Sequence, residues 1–188
     1  NSFNEFKKIF KTKVDYTMSS ITGIEGLKPT LDIIKYSKRI AIANKESIIC
    51  GWALIDKEIK KNKTKFIPVD SEHFSLWYGL INHDINIIEK IYLTASGGPF
   101  LNTNLDEFDN ITVDEALNHP TWDMGKKISI DSATMMNKGL EVIEAMYLFG
   151  LKLSQVDVVI HPQSLIHSMV CYTDGSIISQ ASRNDMKI

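Results

Sequence analysis

Between Val14 and Ile81 the chain alternates short β-rich runs with helical ones, and this alternation restricts the fold more than any other feature. Val14–Ile21 has the composition of a strand, Gly23 and Gly26 mark a turn, and Pro29 suits the first turn of a helix ending near Ser37. Arg39–Ala43 is a second strand, Glu46–Lys61 a second helix, Phe66–Val69 a third strand and Glu72–Ile81 a third helix. Strands joined through helices by short turns build parallel βαβ units. The strand order is left open by this pattern.

Ile85–Thr94 continues as a strand, and Ser96-Gly97-Gly98-Pro99 then breaks the rhythm. Residues 100–127 carry no sustained periodicity beyond a short helix at Val113–Leu117. So long an irregular stretch is expected to be a lid or binding loop, and the large apolar Trp122 and Met124 within it favour a lid. Asp131–Phe149 gives the strongest helical signal. Met136, Leu140, Ile143 and Tyr147 form one apolar stripe, and Gly150 stands where a C-terminal glycine belongs. Val156–Ile160, Leu165–Tyr172 and Ser176–Ser179 read as strands, with a hairpin at Asp174-Gly175.

The 188 residues are 44% hydrophobic, enough to bury one substantial core or two small ones. A formal charge of −2, with both signs interspersed, lacks the footprint of a nucleic-acid binder. The basic run Lys57–Lys65 reads as a solvated helix end and turn. Cys50 and Cys171 sit in apolar surroundings and are expected to be reduced core thiols of an intracellular protein. No apolar run approaches the roughly 18 residues that span a bilayer, so no membrane partner is expected. Because residue 1 is Asn, the chain is expected to begin inside a longer polypeptide.

Asp70 and Glu72 follow the third strand directly. In an extended segment, residues two apart share a face, so both carboxylates can converge beyond the carboxyl end of a strand, where open α/β sheets hold ligands. Two readings stand: a Mg²⁺ or Mn²⁺ site built from hard oxygen donors, or a helix N-cap with an acidic first turn. On the long helix Asn137, Glu141 and Glu144 are spaced i, i+4, i+7 beside Lys138. That stripe is either the solvated face or a place for a metal and an anion together.

Ser96 before two glycines, and Ser132 at the expected N-terminus of the long helix, are candidate phosphate donors; Asn137 and Lys138 could complete that pocket. Ser132 reads equally as a plain cap. His119 lies in the irregular loop, either solvated or functional, while His161 and His167 flank an apolar strand and read as structural. Neighbours in an extended chain point oppositely, so His73 need not join Glu72. No G-x-G-x-x-G, Walker A, H-E-x-x-H or C-x-x-C spacing occurs.

The stretches ANKES (43–47), PVDSEH (68–73), SGGPF (96–100), HPTWDMGKKISIDSATMMNKGLEVIEA (119–145) and IHPQSLIHSMV (160–170) resemble the 1-deoxy-D-xylulose 5-phosphate reductoisomerase family. The resemblance implies NADPH- and divalent-metal-dependent conversion of that sugar phosphate to 2-C-methyl-D-erythritol 4-phosphate in non-mevalonate isoprenoid biosynthesis. It implies Asp70, Glu72 and Glu141 as ligands of Mn²⁺ or Mg²⁺, with Glu144 behind them. Lys45, Ser71 and Glu72 correspond to residues around the reacting end of the sugar. Ser96, Ser132, Asn137 and Lys138 match the phosphate pocket. His119, Trp122 and Met124 match the loop that closes on substrate, and Asn44, Lys45, Glu46 and Gly125 the positions near NADPH. Lys45, Asp70, Glu72, His119 and Glu141 are the implied catalytic residues.

The implied fold is α/β: the end of a Rossmann-like parallel sheet at 1–69, incomplete because the glycine-rich dinucleotide motif is missing, then an α+β catalytic domain at 70–188 with a mobile lid near 97–127. A homodimer in a bacterial cytoplasm or plastid stroma is expected. Ala95 stands where the family usually has Gly. Two other functions fit the residues: a non-catalytic dimerisation scaffold built on strands 156–182, and a metal-dependent phosphohydrolase.

Overall fold

A computed structural model describes residues 5–81, 83–120 and 123–182. The chain divides into two units, Asn1–Trp77 and Tyr78–Ile188. Asp70 lies in the first of these units.

The first unit runs α1 (Phe6–Ile9), β1 (Thr17–Ser19), α2 (Leu27–Ile34), β2 (Arg39–Ile42), α3 (Lys45–Asn62), β3 (Lys65–Pro68) and α4 (Ser71–Gly79), whose last two residues pass into the second unit. Its three strands lie in the order β1-β2-β3 and are all parallel. The βαβ expectation therefore holds, and the order is simply sequential. Ile40, Ala41 and Ile42 of the central strand are fully buried, as a parallel strand between helices requires. β1 is much shorter than the expected Val14–Ile21. It sits at the sheet edge, and Val14 makes only an isolated bridge to Ser37. Helices α2 and α3 approach closely at Gly51, where a Cβ would lie 2.3 Å from Leu27 Cδ1. Cys50, next to it, is exposed rather than a core thiol, because the helix turns its glycine inward.

The second unit contains β4 (Ile88–Ala95), α5 (Val113–Leu117), α6 (Lys126–Ala133), α7 (Met136–Phe149), β5 (Val156–Ile160), β6 (Ile166–Tyr172) and β7 (Ile177–Ala181). The sheet order is β5-β4-β6-β7, with β5 parallel to β4 and the other neighbours antiparallel. Ile91, Leu93 and Val170 form its core, and α7 packs on β4 and β5. The β6–β7 hairpin turns where Asp174-Gly175 predicts it. Gly175 has φ 83° and the Ser176 N–H donates to Asp174 Oδ1 at 2.8 Å.

The single helix expected over Asp131–Phe149 is two helices. Thr134 and Met135 interrupt it, and Met135 adopts a left-handed φ of 59°. Ser132 consequently lies in the last turn of α6, not at the start of the long helix. The faces of α7 are also reversed from the simplest amphipathic reading. Lys138, Glu141 and Glu144 are buried, whereas Met136 and Tyr147 of the apolar stripe are exposed. The loop before α6 is more ordered than expected: besides α5, closed by a Thr112/Glu115 capping box, it holds a 3₁₀ helix at Leu105–Asn110. Among the described residues no helix is long and apolar enough to cross a membrane.

Candidate active site

In the first unit, β2 and β3 are adjacent parallel strands, and both deliver charged groups at their carboxyl ends. Lys45 opens α3 just after β2, and Asp70 stands between β3 and α4. Lys45 Nζ lies 2.9 Å from Asp70 Oδ2, with both side chains largely withdrawn from solvent. The backbone carbonyl of Asp70 accepts the Phe74 N–H at 2.7 Å, so the residue occupies a cap position while its carboxylate serves Lys45. Burial alone would raise the Asp70 pKa. The Lys45 charge, with His73 and Glu72 adding to it, outweighs burial and holds the carboxyl well below its ordinary value.

Because α4 begins at Ser71, the chain is no longer extended at Glu72, and the two-residue periodicity does not bring the acids together. The helical turn does so instead: carboxylate oxygens of Asp70 and Glu72 lie within 4.8 Å of one another. Ser71 Oγ donates to Glu72 Oε2 at 2.7 Å. The helix also turns His73 toward Asp70. Three residues beyond Asp70, its fully buried ring places Nδ1 3.4 Å from Asp70 Oδ1. The i, i+3 spacing would have revealed this had the helix start been placed one residue earlier. Asp70 Oδ1 is buried and makes no hydrogen bond of good geometry among the described residues. A buried acceptor beside a second carboxylate suits a hard divalent cation.

Asn44 is buried and holds structure. Its Oδ1 caps α3 by accepting the Ser47 N–H at 2.7 Å, and its Nδ2 donates to the carbonyls of Gly23, at 2.7 Å, and Ile21. Gly26 packs against this knot so closely that a Cβ would lie 2.4 Å from the Ile21 carbonyl oxygen. Glu46 follows in the first turn of α3, half-buried.

In the second unit, Ser96 Oγ and His119 Nε2 are 3.2 Å apart, and burial pushes the His119 pKa below its ordinary value, favouring the neutral ring. Gly97 and Gly98 have φ of 97° and 70°, which favours glycine at both positions. At Gly98 a Cβ would lie 2.9 Å from the Ser132 carbonyl oxygen, so the loop after β4 rests on the end of α6. Ser96 and Ser132 are thus held in one neighbourhood, although the reason differs from the expected helix N-terminus. On α7, Glu141 is 2% exposed; Asn137 Nδ2 donates to its Oε1 at 2.5 Å and Lys138 Nζ pairs with its Oε2. Glu144, one turn on, is equally buried. Met124 is half-buried and Gly125 exposed at the start of α6, whereas Trp122 lies outside the described residues. His161 and His167 have structural partners: His161 Nε2 accepts the Leu165 N–H, and His167 Nε2 lies 2.7 Å from Ser182 Oγ.

Each unit therefore presents a carboxylate held by a lysine, and the second adds a serine followed by two glycines of left-handed φ. In an α/β protein such groups are chemically able to hold a cation and an anion. Comparison with known proteins makes the class specific. Residues 66–149 match the 1-deoxy-D-xylulose 5-phosphate reductoisomerase C-terminal domain, and residues 4–51 match 1-deoxy-D-xylulose 5-phosphate reductoisomerase. The chain is 60% identical over 177 residues to the 1-deoxy-D-xylulose 5-phosphate reductoisomerase of Pelagibacter ubique, and 53% identical over 176 residues to that of Clostridium botulinum. These alignments cover 93% and 94% of the chain and 46% of each relative, so the chain spans about half the length of the curated relatives it matches.

Among solved structures, DOX-P reductoisomerase in complex with NADPH, fosmidomycin and magnesium superposes with a TM-score of 0.87 at 45% identity, covering 98% of this chain and 47% of that one. The Zymomonas mobilis enzyme in complex with NADPH gives 0.84 at 46% identity, covering 92% and 44%. The chain is a relative of the 1-deoxy-D-xylulose 5-phosphate reductoisomerase family along nearly all of its length.

Proposed function

We propose that this chain is the part of a 1-deoxy-D-xylulose 5-phosphate reductoisomerase that holds the divalent cation and the sugar phosphate, within an NADPH-dependent conversion to 2-C-methyl-D-erythritol 4-phosphate. The observation that carries the reading is the pairing of buried or half-buried carboxylates with lysines, Asp70 with Lys45 and Glu141 with Lys138, in a chain 60% identical over 177 residues to a curated reductoisomerase. Asp70, Glu72 and Glu141 are the proposed ligands of Mg²⁺ or Mn²⁺, and their oxygen-only donor set fits such ions. A cation held there supplies Lewis-acid stabilisation of charge developing on substrate oxygens. NADPH, in the whole protein, supplies the hydride.

The chain's own residues bind, orient and exclude water. Ser96, Ser132, Asn137 and Lys138 take the phosphate, with Gly97 and Gly98 keeping the loop close to α6. His119, neutral by burial, offers a hydrogen bond beside Ser96, and the segment carrying Trp122 and Met124 covers the ligand. Lys45, Ser71 and Glu72 contact the reacting end of the sugar. On the cofactor side, Glu46, Lys45 and Gly125 approach NADPH, and Asn44 shapes the adjoining turn.

The proposed domain split is a cofactor-side region to residue 69 and a catalytic region from residue 70. A homodimer is also inferred. Both edges of the second unit's sheet carry exposed apolar groups, Ile160 on β5 and Ile177 on β7, and edge strands readily pair with another copy. A bacterial cytoplasm is the compartment we infer, from the bacterial relatives. The test is thermal melting with magnesium or manganese. Millimolar metal raises Tm, and Glu141→Gln abolishes the rise. An unchanged melting curve for the unsubstituted chain overturns the metal assignment; light scattering that finds only monomer overturns the dimer.

A further inference from the structure

We propose that the amino ends of the first unit's strands form an electrostatic docking surface for a second copy of this chain, and that it seats the acidic segment 105–115 of that copy's second unit. The contact is separate from the sheet-edge dimer and does not depend on it.

The formal charge of −2 conceals two opposed balances. Residues 1–77 carry 14 basic and 9 acidic side chains, a net +5, and residues 78–188 carry 7 and 14, a net −7. In the first unit the surplus collects at one end. Helices α2 and α3 run back against the parallel strands they join, so their last turns lie beside the amino ends of those strands, opposite Lys45 and Asp70. Lys35, Arg39, Lys63 and Lys65 are exposed at that end. The acids beside them are already taken: Asp15 pairs with Lys38 at 2.8 Å, Asp56 with Lys60 at 2.6 Å and Glu58 with Lys61 at 3.4 Å. Among the described residues, Lys35, Arg39, Lys63 and Lys65 have no ion-pair partner.

Two features show the surplus to be maintained at a cost. Arg39 and Lys65 are partners in the β2–β3 register, so like charges stand on one face of adjacent strands about 4.8 Å apart, which is destabilising. Lys63 follows α3 with a left-handed φ of 52°, where glycine or asparagine is the easier choice. The helix dipole accounts for Lys60 and Lys61 in the last turn of α3, but not for two cations that begin strands.

The second unit offers the complement. Asp106, Glu107, Asp109 and Asp114 are exposed on one short segment and have no ion-pair partner among the described residues. Leu105, Phe108 and Val113 are exposed among them, Leu105 by 83%. The basic end has apolar groups of its own, since α1 packs there through Phe6 and Phe10 on Tyr36 and leaves Ile9 exposed. Apolar groups ringed by charge of opposite sign are the ordinary makings of a protein–protein contact, with the charges setting register and encounter rate. Both surfaces belong to one chain, so each copy brings what the other lacks. The apolar groups favour a polypeptide partner over a phosphate polyanion, which would leave them uncovered.

Light scattering over a range of chain concentrations tests the proposal at about 50 mM and about 300 mM sodium chloride, an interval over which the screening length falls by more than half. Average mass is expected to rise with concentration at the lower salt. Association should weaken at least about tenfold at the higher, the scale of a few exposed charge pairs lost. Arg39→Glu with Lys65→Glu, and separately Asp106→Lys with Asp109→Lys, should each abolish the salt-dependent part. An equimolar mixture of the two variants should regain it, because the reversed end of one then meets the reversed segment of the other. A mixture no heavier than its components overturns the proposal. Association that ignores salt is the sheet-edge dimer alone, and it overturns the docking surface while leaving that dimer standing. Inorganic polyphosphate that binds the basic end of a chain showing no salt-dependent self-association assigns the surface to a polyanion and overturns the proposal as well. Should the Arg39→Glu, Lys65→Glu variant lose its circular dichroism spectrum, Arg39→Gln with Lys65→Gln takes its place and should weaken association at the lower salt; unchanged association overturns the proposal.

Discussion

The two units solve one problem, holding an acidic side chain away from water beside a lysine, with different surroundings. In the first, Asp70 sits at the junction of a strand and a helix, half-buried, with Lys45 reaching it from the neighbouring strand's end. In the second, Glu141 lies mid-helix and is fully buried, held by a lysine and an amide one turn or less away on the same helix. Sheet topology builds the first arrangement, and helix periodicity builds the second. The depth of burial decides what each pair is worth. A partly exposed pair shares some of its charge with solvent, while a buried one depends more heavily on its protein surroundings.

That contrast should be sharpest on removing the lysines. Lys138→Met takes the ammonium from the buried Glu141 carboxylate and should cost about 3–5 kcal/mol in urea unfolding at neutral pH. The double change Lys138→Met with Glu141→Gln should recover much of it; equal losses in single and double variants would mean the charge pair is not the cause. Lys45→Met should cost less, about 1–2 kcal/mol.

The same pair carries a pH signature. Asp70 has a folded pKa held well below its ordinary value, so its contribution is fully present above the unfolded pKa of about 4 and is lost as pH falls toward the folded value. Lys45→Met should therefore flatten the acid limb of the stability curve and leave the neutral-to-alkaline side parallel to the unsubstituted chain.

Glycines offer a second comparison. Gly26→Ala drives a Cβ against the Ile21 carbonyl and the Asn44 amide, and Gly98→Ala combines a left-handed φ with a 2.9 Å approach to Ser132. Each should cost about 1–3 kcal/mol. Only the second should also weaken methyl phosphate binding, because it displaces the loop from α6. The smallest effect belongs to the exposed stripe of α7: Met136→Gln should change stability by no more than about 0.5 kcal/mol. A larger loss measured in the chain would show that this face is covered.

How far the sequence could be read differs between the units for physical reasons. The βαβ rhythm, the strand before Asp70 and the Asp174-Gly175 hairpin all depend on local pattern, and they appear where local pattern puts them. The position of Asp70 beyond a parallel strand follows from that alone. Its partnership with His73 does not, since it turns on whether the helix starts at Ser71 or a residue later. On α7 the polar stripe was visible but its environment was not. A period of 3.6 identifies two faces without saying which is buried, and here the charged face is inside. The break at Met135 carried no proline or glycine to announce it.

By itself, the sequence determined the α/β class, the candidate ligands for a cation and an anion, and the family resemblance, because these depend on residue identity and short-range periodicity. Tertiary structure alone decided the strand order, which lysine neutralises which acid, and that Gly98 packs against the Ser132 carbonyl. Apart from the i, i+3 pair of Lys138 and Glu141, those are contacts between distant parts of each unit, and burial, which sets their strength, belongs to the packed unit and to no single stretch of chain.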